Sequence, residues 1–135
     1  MEHKSNFGCV LLIDDDKITN FVNEKLFMKY MLADHVHKCE SGEDALAFLE
    51  KECLEQNKPR EHHCPDLILL DINMPVMNGF QFLQAYMELN LNLKILMLSS
   101  SENPRDINEA MGMPIIGYIN KPLSVLKLAQ YLPNA

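Results

Sequence analysis

The stretch Leu67-Ile68-Leu69-Leu70-Asp71-Ile72-Asn73-Met74-Pro75 constrains the fold more than any other part of the chain. Four consecutive apolar residues fit a strand buried on both faces, the pattern of a parallel sheet. Pro75, Asn78 and Gly79 then signal a turn into a helix. The acid at that boundary, Asp71, stands where open α/β sheets bind ligands, outside the carboxyl end of a strand. Taken alone, Asp71 is equally consistent with a polar residue that merely closes a strand. Three other strand ends bear on the choice.

Residues 9–13 form a first apolar run that stops on Asp14-Asp15-Asp16. Ile18, Phe21, Val22, Leu26 and Phe27 recur near helical spacing and predict a helix over about 17–31. Any of the three aspartates could cap it, but adjacent acids repel one another unless a cation is present. A short strand is predicted over 35–39, followed by the capping pattern Ser41-x-x-Asp44 and a helix carrying Ala45, Leu46, Phe48 and Leu49 inward. Residues 51–65 turn polar, and 57–64 are expected to protrude as a loop. A third helix starts near Gly79, with Phe80, Phe82, Leu83, Tyr86, Met87 and Leu89 on its apolar positions. Residues 94–98 form a fourth strand that stops at Ser99-Ser100-Ser101, and Asn103-Pro104 starts a helix ending near Gly112. A short strand over 117–120 ends at Lys121-Pro122, and a last helix is predicted over 123–132. Strands alternating with helices imply a parallel sheet covered on both faces, with every strand's carboxyl end on one edge.

At 135 residues the chain suits one domain over 1–135, with a core spanning about 8–132. A net charge of −7, with Lys and Arg scattered singly, argues against direct nucleic-acid binding and favours a neutral or basic partner protein or a bound cation. No apolar run approaches the ~20 residues that span a bilayer, and residues 1–6 lack the features of a secretory signal. A cytoplasmic location without membrane insertion is therefore expected, with all four cysteines reduced. Cys9 and Cys39 read as core residues. Cys53, His62, His63 and Cys64 lack the paired spacing of zinc sites and are not read as one.

The topology gathers Asp14-Asp15-Asp16, Asp71, Ser99 and Lys121 on one edge. Together they offer oxygen ligands for a hard cation, a carboxylate nucleophile, a hydroxyl donor and a fixed positive charge, a set suited to phosphoryl transfer. Asp14-Asp15, the segment from Leu70 to Gly79, Ser99 and Lys121-Pro122 resemble the receiver domain of two-component response regulators, over nearly the whole chain and in that family's order.

The resemblance implies a flavodoxin-like, doubly wound five-stranded parallel sheet of order 2-1-3-4-5 with five helices. It implies that Asp71 takes a phosphoryl group from a phosphohistidine on a sensor histidine kinase or histidine phosphotransfer protein. Mg2+, with Mn2+ as a substitute, would be held by Asp14, Asp15, Asp71 and the backbone carbonyl of Asn73. Lys121 would contact the phosphoryl oxygens, and Lys121-Pro122 would be a cis peptide. Ser99 would move to the phosphoryl group in concert with Tyr118, reshaping the face of helix four, strand five and helix five that meets an unidentified downstream protein or a second copy in a phosphorylation-dependent dimer. Asp16 reads as a helix cap, and Asn73 and Ser101 as side chains that adjust the phosphoryl lifetime. Such a protein is a switch that assists its own phosphorylation and dephosphorylation rather than an enzyme. If the sequence is a full protein it would act by docking to another; it is equally consistent with a domain of a larger one.

Serine at 99 in place of the family's usual threonine keeps the hydroxyl, and Ser100 keeps a small residue at the site. Two other readings compete. Asp14-x-Asp16 resembles the nucleophile and acid pair of haloacid dehalogenase-type phosphatases, but the chain has no acid after Lys121 and this reading leaves Asp71 idle. A receiver fold that only binds partners is the other, although such domains typically lose a key acid or the lysine.

Overall fold

The computed structural model describes residues 5–54, 63–100 and 104–133. Residues 57–62 of the loop expected at 57–64, His62 among them, and Ser101 and Asn103 lie outside them. β1 (Phe7–Ile13), β2 (Ala33–Cys39), β3 (Leu67–Asp71), β4 (Lys94–Ser99) and β5 (Gly117–Asn120) form one sheet of order β2-β1-β3-β4-β5. Every pairing is parallel, so each connection is a crossover through a helix. These helices are α1 (Lys17–Lys29), α2 (Gly42–Leu49), α3 (Gly79–Met87), α4 (Pro104–Met111) and α5 (Val125–Leu128).

Alternating strand residues build two cores. Leu11, Ile13, Ile68, Leu70, Ile95 and Met97 pack on one face with α2, α3 and Ala110 of α4. Val10, Leu12, Leu67, Leu69, Leu96 and Leu98 pack on the other with Phe27 of α1 and Leu128 of α5. β3 is central, and all five of its residues are buried, Asp71 included. Each buried leucine there contributes roughly 2 kcal/mol, so the strand that carries the acid is firmly held.

Several local predictions change. α1 stops at Lys29 rather than 31 because Met31 turns to φ 54. Its inward residues are Asn20, Asn23 and Phe27, while Ile18, Phe21 and Val22 are exposed at 72%, 53% and 55%. The periodic apolar residues of its first half therefore mark an outer face. The final helix is shorter than 123–132: Ser124 caps Val125–Leu128, and residues Ala129–Tyr131 tighten into a 3-10 turn.

The expectation of four reduced cysteines is corrected. Cys9 and Cys39 are free and buried, whereas Cys53 and Cys64 are joined as a disulfide. A π-helical turn, Glu50–Leu54, prolongs α2 toward the segment leading into β3, where the Glu52 carboxylate accepts the His63 N–H at 2.8 Å. That convergence brings the two Cα atoms to 4.9 Å, within bridging range.

Candidate functional site

The acids arrive on rigid supports. β1 ends at Ile13, and Asp14 follows with its N–H bonded to the Cys39 carbonyl at the end of β2. Asp16 is drawn away from its neighbours to cap α1, accepting from the Ile18 N–H at 2.9 Å and the Thr19 hydroxyl at 3.0 Å. Those hydrogen bonds, the Ile18 N–H first, hold its carboxyl below the usual range. The role left to Asp14 and Asp15 is to face Asp71.

Asp71 is fixed from the other side. The α3 N-terminus presses on the end of β3: Gly79 donates to the Ile72 carbonyl at 2.8 Å, and a Cβ on Gly79 would lie 2.8 Å from the Asp71 carbonyl oxygen. Glycine is required for that approach. Asn78 and Gln81 close a reciprocal capping box there. The intervening loop contains Val76 at φ 67, a conformation that strains a β-branched residue, inside a three-residue turn closed from Met77 N–H to Pro75 O.

One carboxylate oxygen from each of Asp14, Asp15 and Asp71 lies within 4.8 Å of the others. Lys121 reaches in from the end of β5, its Nζ 2.8 Å from Asp14 Oδ2 and 3.1 Å from Asp71 Oδ1. The Lys121-Pro122 peptide is cis. Asp14 and Asp71 are each only 4% exposed. Burial, then the charge of Asp14, pushes the Asp71 carboxyl above its usual range, against the pull of Lys121. Burial alone would weaken the Lys121 ammonium, but its hydrogen bond to Asp14 and the Asp71 charge raise it overall. Lys121 is therefore a fixed cation.

Three carboxylates and one ammonium leave the cluster anionic. All-oxygen donors of this kind suit a hard dication such as Mg2+. Asp15 is exposed, so the cluster opens to solvent. Among the described residues it is the one group of metal-ligating side chains of this size.

Of the other predicted site residues, Ser99 is buried at the end of β4, opposite Asn120, and its carbonyl accepts the Lys121 N–H at 2.8 Å. The Asn73 N–H helps to stabilise the Asp71 carboxylate, and Asn73 is exposed. Tyr118 stands apart from the acids, half-buried on β5, where with Ile107, Ala110, Met111, Ile115 and Ile116 it lines a groove of about 320 Å3.

One residue next to the acids escaped the sequence reading. Asn20 is 2% exposed, and its amide binds the Asp14 and Cys39 carbonyls. Its only sequence signal is an amide at an inward helical position, two residues after the outward Ile18.

The profile of the response regulator receiver domain matches residues 10–132. Chemotaxis protein CheY of Thermotoga maritima is 28% identical over 111 residues, covering 82% of this chain and 90% of that protein. The chain spans only 16% to 50% of the length of several longer response regulators that it also matches. A crystal structure of a two-component response regulator from Cytophaga hutchinsonii superposes with a TM-score of 0.80 at 28% identity, covering 94% of each chain. The receiver domain of the Arabidopsis thaliana histidine kinase CKI1, solved with Mg2+ and BeF3-, shares the fold with a TM-score of 0.75 at 21% identity, over 92% of this chain and 87% of that one.

Proposed function

Because the chain belongs to the response regulator receiver domain family, we propose that it is a phosphorylation-controlled switch whose phosphoacceptor is Asp71. The observation that carries this reading is the convergence of Asp14, Asp15, Asp71 and Lys121 at the carboxyl edge of the sheet. An Asp71 oxygen attacks phosphorus, an acyl phosphate bond forms, and the P–N bond to the donor imidazole breaks, the electron pair leaving with the imidazole. Asp14, Asp15, Asp71 and the Asn73 carbonyl would hold Mg2+, which would supply positive charge to the phosphoryl oxygens. Lys121 exchanges its carboxylate partners for a phosphoryl oxygen. Ser99 supplies a hydroxyl to another. The same groups that hold the transferred group also govern its loss to water, so the protein assists both reactions without turning over a separate substrate.

The phosphoryl group adds charge and strong acceptors at the end of β3, and it selects an arrangement of Ser99 and Lys121 that the free site does not favour. Tyr118 stands in the chain between those two positions and beside the groove on α4 and β5. Its movement couples the site to a downstream protein, or to a second copy, on that face. α4 is suited to respond, because Ala110 is its one fully buried residue among 105–111.

The phosphodonor is a histidine kinase or phosphotransfer protein. Ile18 and Val22 expose apolar surface beside Lys121 and Pro122, where they line a hollow of about 220 Å3 next to the acids. An apolar helix of a donor docked there brings its phosphohistidine to Asp71. The phosphatase alternative needs Asp16 at the reacting centre, but its carboxylate is spent on the cap of α1.

The test uses acetyl phosphate and Mg2+, with intact mass read for wild type and Asp71→Asn. A single Mg2+-dependent phosphoryl adduct, absent from the variant, is expected. No adduct in wild type supports a binding module instead, and turnover persisting without Asp71 supports a phosphatase using Asp14.

A further inference from the structure

α1 buries an amide where an amphipathic helix would normally bury a hydrocarbon. Asn20 donates from Nδ2 to the Asp14 carbonyl at 2.9 Å and to the Cys39 carbonyl at 3.3 Å. Cys39 is the last residue of β2, and Asp14 follows β1, so one side chain ties together the carboxyl ends of two neighbouring strands. The backbone continues the fastening: Asp14 N–H binds the Cys39 carbonyl at 3.1 Å, and Asn20 N–H binds the Asp16 carbonyl at 3.1 Å. The Asp14-Asp15 peptide is thereby held from both flanks.

Asn20 Oδ1 is buried and has no hydrogen-bond partner among the described residues. An unmatched buried acceptor lowers stability. A stability cost accepted beside a cluster of functional acids points to a role in placing them. Groups that orient metal ligands commonly set affinity by tenfold or more.

We propose that Asn20 is a positioning residue that aims Asp14 and Asp15 at Asp71 and so sets the affinity of the site for a divalent cation, not the rate of phosphoryl transfer once the cation is bound. The inference rests on the reading that these acids hold Mg2+.

The full chain is titrated with Mg2+ by calorimetry in wild type, Asn20→Leu and Asn20→Ala, with Asn23→Leu as the control on the same inward face. The rate of phosphorylation by acetyl phosphate is followed against Mg2+ concentration in parallel. Both Asn20 variants are expected to bind Mg2+ about tenfold more weakly, with a rate at saturating Mg2+ within about twofold of wild type, and Asn23→Leu is expected to match wild type. In wild type, the Asn20 side-chain amide resonances should shift when Mg2+ is added, a readout that needs no substitution. Unchanged Mg2+ affinity in the folded variants, or amide resonances indifferent to Mg2+, overturns the inference and leaves the phosphoacceptor reading intact. Wild type that binds no Mg2+ overturns both.

Discussion

Replacing Lys121 by methionine removes the cation while keeping most of the side chain's apolar stem. Asp14 and Asp71 then face each other with oxygens within 4.8 Å, a repulsion of about 3.5 kcal/mol at an effective dielectric near 20. Breaking a buried ion pair typically costs about 3–5 kcal/mol, and the metal-free variant should lose about 3 kcal/mol at neutral pH. The loss should depend on pH in a fixed sense. Asp71 in the fold already lies above its usual range, first through burial and then through Asp14, and losing Lys121 raises it further. A carboxyl raised by folding binds its proton more tightly in the folded state. Its favourable contribution is complete below the unfolded value of about 4 and disappears as pH rises through the folded value. The penalty of the substitution is therefore small in acid and grows toward neutrality. Mg2+ should recover much of it, because a dication binds the folded cluster and not the unfolded chain. Urea unfolding followed by circular dichroism, in EDTA and in Mg2+ from about pH 5 to about pH 8, measures this. A penalty independent of pH and of Mg2+ would refute the electrostatic account of the site.

Gly79→Ala should destabilise by about 1–3 kcal/mol in thermal melts, because the atoms in the way of a Cβ are the backbone of Asp71 and Ile72 and cannot step aside. Reducing the Cys53–Cys64 bridge should cost about 3 kcal/mol through the loop it closes; thiol titration of unreduced, denatured protein should find the two free cysteines, Cys9 and Cys39. Val22→Lys, at a position already 55% exposed, should leave stability within about 0.5 kcal/mol. The same variant should slow transfer from a phosphohistidine protein while leaving the acetyl phosphate reaction unchanged, and equal slowing of both donors would argue against docking on α1.

β3 was legible because a run buried on both faces has no alternation to misread, and every one of its residues proved buried. The capping roles of Asp16 and Ser41 followed from residue type and position, since a short oxygen-bearing side chain satisfies free helical N–H groups, whereas Asn78, read only as a turn residue, caps α3. α1 was harder. Periodicity locates an apolar stripe but does not say whether the stripe meets the core or a partner, and Ile18, Phe21 and Val22 face outward. For the same reason nothing in the pattern marked Asn20 and Asn23 as inward. The burial of Asn20 follows from strand-end carbonyls beneath α1 that accept from its amide, which no local pattern records. The Cys53–Cys64 bridge depends on how the prolonged end of α2 meets the approach to β3, a tertiary fact. The site itself was legible as residue types at strand ends. Residue types alone left the three adjacent acids interchangeable; the resemblance assigned Asp14 and Asp15 to the cation and left Asp16 as the cap it forms on α1.

The most direct test of the central claim is to phosphorylate the wild-type chain with acetyl phosphate and Mg2+, reduce it at once with borohydride, and map the product by peptide sequencing. An acyl phosphate on aspartate is reduced to homoserine, so the account predicts homoserine at position 71 and nowhere else. Homoserine at position 14, 15 or 16, or a borohydride-resistant phosphate on Ser99, would contradict it.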